Sequence, residues 1–390
     1  MTSAVSPEKQ LLAYCSHIQL DSSLAQKIAQ LLEGDLDWDY VLNEAEENSI
    51  FPLVGRQLQA IARDALPAAA ADRLRNGCRA NTIRCLFLAA ELIKILDLFR
   101  SQGIEAIPYK GPALAVQAYG DITLREFEDL DIVLRQSDVP KAHELMLGLG
   151  YRAKFDWVMS SGADASAVPG EYNYRDEERR VMVELHTELT LRHFPKPPNL
   201  DELSLRLVSV RLNEREVRTF SLEDGLPILC IHGAKDFWAR FSWIADISEL
   251  LRRYPNLNWD ITMQRTESLK AERMLHVGLA LAAGLLDAPL PNEIWRRVQA
   301  DRVATDVASE ITSRLMSPDY RPIDAPGRFN FRRRMLSGTL EGWRYALRLS
   351  VIPAEEDWQM MRLPGPLAPL YIALRPLRLL RKYGWASRRA

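Results

Sequence analysis

The chain has 390 residues, of which 47% are apolar and 26% charged, and its formal net charge is −2. That length is enough for two or three domains with cores of their own, and the near-neutral balance carries no global signal for nucleic acid. Six basic and no acidic side chains fall within residues 366–390, which leaves −8 on the first 365.

Residues 8–100 read as helical. In "SSLAQKIAQLLEG" a serine start, apolar positions at helical spacing and a stop at Gly34 mark one helix. "DWDYVLNEAEENSI" begins on Asp37 as an N-cap and ends before Pro52. The longest pattern covers 70–100, with Leu86, Leu88, Leu92, Ile95, Leu96 and Phe99 in three- and four-residue steps, and Gly103 breaks it. Ile104 to Tyr109 is a short β-type run. Lys110-Gly111-Pro112 then turns into a helix that reaches Gly120, with Pro112 suited to its first turn. "DLDIVL" is a second strand, and Ser137 or Asp138 caps a helix to about Gly148, a crossover that favours a mixed or parallel sheet. Residues 160–170 are small, polar and rich in breakers, which predicts a mobile loop. "YNYRDEERRVMVELHTEL" predicts a hairpin whose second arm runs from Arg180 to His186. The pattern is helical again from 222 to about 345, and the Pro-rich "RLPGPLAP" introduces the basic tail.

Cys15, Cys78, Cys85 and Cys230 show no CxxC spacing, which argues against a zinc ribbon or a disulfide framework. Buried or bystander thiols in a reducing cytoplasm are the expectation. The N-terminus lacks a basic start followed by an apolar stretch, so no signal peptide is expected. The longest strongly apolar run, Val277 to Leu286, is about half of what a bilayer span needs. The tail "LAPLYIALRPLRLLRKYGWASRR" mixes apolar and basic residues. It reads as a membrane-surface helix or a contact for an acidic partner, or else as a leucine face packed on the domain.

The chemistry-bearing pattern is a strand, a turn with glycine, a helix, a strand bearing Asp-x-Asp, and a later strand with another carboxylate. Asp129 and Asp131 share a strand face, and like charges so placed call for a cation between them unless they form a solvated edge. Glu184 is the candidate third carboxylate, with Glu188 as its competitor, while Glu128 alternates to the other face. Magnesium accepts a few carboxylates together with substrate phosphates, and such a site can stabilise attacking and leaving oxygens at phosphorus. Lys110 could add a point charge beside free backbone N–H groups at the helix start.

"KGPALA", "LREFEDLDIVL" and "VELH", with the helical "CIHGAKDFWARFSWIADISELL", resemble the bacterial family of uncharacterised nucleotidyltransferases within the polymerase-β-type superfamily. The resemblance covers roughly residues 30–300. It implies an α+β fold, a small mixed sheet with helices flanked by N- and C-terminal helical regions. The segments would be a helical region over 1–100, the catalytic core over 101–215, a helical domain over 216–345, and the Pro-rich segment with basic tail over 346–390. It implies Mg²⁺- or Mn²⁺-dependent transfer of a nucleoside monophosphate from an NTP, ATP foremost, to a hydroxyl of a small molecule or a protein. Asp129, Asp131 and Glu184 would be the catalytic and metal-holding carboxylates, with Lys110, Gly111, Arg125, His186 and Lys235 on the substrate side. The sequence departs from the family pattern where Pro112 follows Gly111, where Glu184 replaces an aspartate, and where Lys235-Asp236-Phe237 replaces Lys-His-Trp. A non-catalytic nucleotide-binding or scaffold member of the same fold is therefore the alternative. A metal-dependent phosphohydrolase ranks below both, because its histidine-rich ligand sets are missing. Arg125 could orient an aspartate, touch the triphosphate or form a helix-end salt bridge. His186 could line the site or be a satisfied semi-buried histidine, and Trp243 reads as core before it reads as a stacking platform.

Overall fold

Short polar side chains start the first helices. Ser6, Asp21 and Asp37 each accept a backbone N–H from the turn they open, beginning α1 (Pro7–Cys15), α2 (Ser22–Leu32) and α3 (Trp38–Glu47). The computed structural model describes residues 5–61, 66–154, 170–189, 199–318, 323–336, 339–352 and 370–384. After α4 (Phe51–Ile61) comes α5 (Ala68–Ser101), 34 residues long, which matches the longest helical pattern in the sequence.

The sheet is assembled from β1 (Ile107–Pro108), β2 (Asp129–Val133), β3 (Arg152–Ala153), β4 (Glu171–Asp176) and β5 (Val181–His186), in the order β1-β2-β5-β4-β3. Between β1 and β2 lies α6 (Gly111–Leu114), continued by a π-helical turn over Ala115–Tyr119. Helix α7 (Val139–Gly148) leaves β2, and β5 returns parallel beside it, whereas every other pair is antiparallel. The mixed sheet follows from that crossover. Alternation along the strands then divides the two faces. Leu130, Ile132, Val183 and Leu185 enter one buried cluster with Leu92, Ile95 and Phe99 of α5 and Ala142 and Met146 of α7. Asp129, Asp131, Glu184 and His186 are left on the opposite face.

Helix α8 (Leu200–Ser204) precedes a hairpin of β6 (Val208–Leu212) and β7 (Arg215–Thr219), turned at Asn213 with φ of +53°. Sequence reading had not separated this hairpin from its surroundings. Helices α9 (Leu222–Lys235), α10 (Phe241–Arg253), α11 (Trp259–Ser268), α12 (Glu272–Leu286), α13 (Asn292–Ala300), α14 (Arg302–Leu315), α15 (Ala325–Arg334) and α16 (Thr339–Val351) follow, then α17 (Leu370–Gly384). Leu11, Val41, Val54 and Leu58 from the N-terminal helices share one buried cluster with Trp238, Ile244, Leu275 and Val307 from beyond the sheet. The helical regions before and after the sheet thus close around a common core. Most of the expected mobile loop (160–169) and the Pro-rich stretch 362–369 lie outside the described residues. Among the described residues, no helix is long and apolar enough to cross a membrane.

Candidate active site

The acidic face of β2 and β5 forms the floor of a cavity of about 830 Å³. Its walls come from α3–α5 on one side and from α9 and α10 on the other, and Lys110, Arg125, Asp129, Asp131, Glu184, His186 and Lys235 all line it. Parallel pairing of β2 with β5 sets Asp131 opposite Glu184 and Val133 opposite His186. Ligand atoms of Asp131, Glu184 and His186 lie within 4.8 Å of one another, the one such group among the described residues. Asp129 lines the cavity outside that group, and Glu188 is not among the lining residues.

Gly111 does not face the cavity. It takes φ of +50°, and a Cβ on it would stand 3.3 Å from the Asp129 carbonyl oxygen. Glycine therefore lets the turn seat against β2 and delivers Lys110 to the floor. Lys110 Nζ is 2.9 Å from Asp131 Oδ1, and His186 Nε2 is 3.0 Å from the same oxygen and 3.5 Å from Glu184 Oε2. The Tyr109 ring sits edge-on to the His186 imidazole at 5.6 Å.

Charges on this floor are unequal in their compensation. Burial alone would raise the Asp131 carboxyl, but the Lys110 charge and the His186 bond outweigh it and hold that group well below the ordinary carboxylate range. Asp129 goes the other way: burial first, then the Asp131 and Glu184 charges, push it up to about 6. For His186, burial works against the charged form, yet its bonds to Asp131 and Glu184 prevail and raise it. Burial, followed by the Lys110 charge, drives His232 well below its usual value.

The helical wall gives the expected Arg125 and Lys235 partners that local sequence reading did not supply. Arg125 is buried and spends Nε and Nη2 on both oxygens of Asp246 in α10, at 3.0–3.2 Å, while Tyr119 Oη donates to Asp246 Oδ1 at 2.9 Å. Its guanidinium thus joins the sheet to α10 while lining the cavity. Lys235 Nζ stands 3.7 Å from Glu171 Oε2 on β4, so it reaches the sheet across the cavity. Trp243 is half-buried against the shared helical core and still lines the cavity, edge-on to His232 at 5.4 Å. Asp246 could have been suspected from the Trp-x-x-Asp spacing, but its partner lies 121 residues away. Glu126 is the other residue that sequence reading passed over. It lines the cavity, accepts the Phe51 N–H at 3.1 Å, and is pushed up to about 7 chiefly by burial.

The donor set suits a hard divalent cation. Asp129, Asp131 and Glu184 offer carboxylate oxygens from neighbouring strands, and the local positive charge of Lys110 does not balance three carboxylates. Magnesium and manganese both take such oxygen ligands, and manganese also accepts an imidazole.

A family model described as uncharacterised nucleotidyltransferase matches residues 34–287, well over half of the chain. The chain therefore belongs to that family, and the range agrees with the stretch over which the motifs resemble it. No curated protein matches the chain.

Proposed function

We propose that this nucleotidyltransferase-family protein moves a nucleoside monophosphate from ATP or another NTP to an acceptor hydroxyl. The observation that carries the reading is the convergence of Asp129, Asp131, Glu184, Lys110 and Arg125 on a single cavity. Asp129, Asp131 and Glu184 would hold the divalent cation, Mg²⁺ foremost. When bound, it would supply charge neutralisation at the phosphoryl oxygens and a lowered pKa for the acceptor hydroxyl. Lys110 and Arg125 hold the triphosphate by charge, and the Gly111 turn keeps Lys110 in reach. Glu184 takes the proton of the acceptor hydroxyl. The hydroxyl oxygen bonds to the α-phosphorus, the bond from that phosphorus to the β-bridging oxygen breaks, and pyrophosphate leaves. Lys235, His232 and Trp243 shape the cavity wall on which base or acceptor rests. The acceptor is a small molecule or a protein side chain.

A second reading draws on the Asp131 contacts. Lys110 and His186 already satisfy this carboxylate from within the protein, as they would in a member that binds nucleotide without turning it over. Isothermal titration of the chain with ATP and Mg²⁺, beside Asp129→Ala plus Asp131→Ala, tests the proposal. Binding by wild type that the double variant loses is the expected result, and no binding by wild type defeats it. Release of pyrophosphate in the presence of the source lysate then separates the transferase from the binding module.

A further inference from the structure

Thirteen large apolar side chains stand exposed among the described residues, and six of them belong to α15–α17: Phe329, Trp343, Leu347, Leu370, Ile372 and Leu377. The other seven are spread from Val5 to Val208. Trp343 and Leu347 lie one turn apart on α16 and are 77% and 65% exposed. On α17, Tyr371 and Arg375 are the inward, buried side chains, so Leu370 and Leu377 look outward by helical periodicity, with Ile372 exposed on the flank. Arg375 Nε donates to the Leu349 carbonyl at 2.7 Å and ties the two helices together, and Phe329 stacks on Tyr345 to join α15.

Charge separates this part of the chain as sharply. Residues 325–390 contain thirteen arginines and lysines against four carboxylates, or +9, while the preceding 324 residues carry −11. Arg328, Arg333 and Arg344 are exposed beside the apolar side chains. This segment also lies beyond the 34–287 match, and none of its described residues lines the cavity.

We propose that α16 and α17 form a membrane-surface anchor that lies on an anionic phospholipid leaflet. Trp343, Leu347, Leu370 and Leu377 enter the boundary between headgroups and acyl chains, and the exposed arginines meet the lipid phosphates. The helices lie on the bilayer rather than cross it, since neither is long and apolar enough to span. A second copy of the chain would bring the same positive charge to the same face and be repelled. Nucleic acid would need rings for base stacking, yet four of the six exposed side chains are aliphatic.

Co-sedimentation of the full chain with phospholipid vesicles tests this anchor. With vesicles of phosphatidylcholine and roughly one-third phosphatidylglycerol, at least about fivefold more protein pellets than with phosphatidylcholine alone, and added salt reduces the difference. Leu347→Ser plus Leu377→Ser lowers pelleting on the anionic vesicles by about fivefold or more while the melting temperature stays put. Both positions are exposed, so the variant keeps its fold. Equal pelleting on the two vesicle types, no pelleting, or undiminished pelleting of the variant overturns the proposal. Capture of an acidic protein by this face without vesicle binding overturns it too.

Discussion

The cavity floor and the α16–α17 pair both bring ionic and apolar groups side by side, but they resolve them in opposite ways. Around Asp131, the Lys110 ammonium and a ring nitrogen of His186 stand within 3.0 Å of one oxygen, and the apolar residues of the same strands turn away into the α5 and α7 core. On α16 and α17, arginines outnumber acids and large apolar side chains face solvent. Burial explains the contrast. A charge removed from water must find its partner inside the protein, so the floor is built from long-range pairs held in register by the sheet. An exposed helix face carries no such demand, and its composition is free to match something outside the molecule. Buried charge on the floor is thus answered from within the protein, whereas the apolar side chains on α16 and α17 are left in water.

The contrast can be attacked first at Asp246. Asp246→Ala leaves the buried Arg125 guanidinium without its bidentate partner and Tyr119 without its acceptor, at a cost of about 3 kcal/mol measured by chemical denaturation. A loss below a tenth of that would show that the cavity wall does not depend on internal pairing.

A smaller effect is expected at Glu126, whose neighbours are the Phe51 N–H, Glu46, Glu128 and Arg240. Its folded-state value, raised from 4.5 to about 7, lies above the unfolded one. The stability it contributes is thus fully present below the unfolded value and lost as pH rises through the folded one. Glu126→Gln keeps an acceptor for Phe51 and removes that loss. Relative to wild type it gains on the order of 2 kcal/mol between about pH 5 and about pH 8, read from denaturation midpoints at the two pH values. No difference between the two pH values would place Glu126 among the solvated carboxylates.

The smallest effect belongs to the other region. Leu347→Ser plus Leu377→Ser changes stability by less than ~0.5 kcal/mol, because these side chains are already in water. A loss of several times that in thermal or chemical unfolding would mean that the two faces are packed against the domain, and the contrast would collapse.

Much of the floor was legible because its signals are local. Asp-x-Asp on a β-type run, Glu and His two apart on the next parallel strand, and Lys-Gly ahead of a helix are each read within a few residues, and Lys110, Asp131, Glu184 and His186 do converge. The strands themselves followed from alternation, with Leu130 and Ile132 inward and the acids opposite. What sequence could not show is pairing across distance. Arg125 finds Asp246, Lys235 finds Glu171, and neither partner leaves a trace near the other in the chain. Glu126 escaped notice for a related reason: its burial depends on α4, whose position is set by a core assembled from both ends of the sequence.

That shared core also fixes an order of events during synthesis. Helices α1 to α4 emerge first, yet the surface that receives Leu11 and Val54 is built from α10 and α12, translated some two hundred residues later. One face of the sheet between them closes on α5, α7 and the β6–β7 hairpin, while Ile107 and Val133 wait for Phe220 and Ile228. A nascent chain halted after β7 would hold one closed face of the sheet and an unfinished periphery, with the leucines of α1, α2 and α4 open to chaperones or to one another. Completion of the outer shell would come last, as a single long-range docking step.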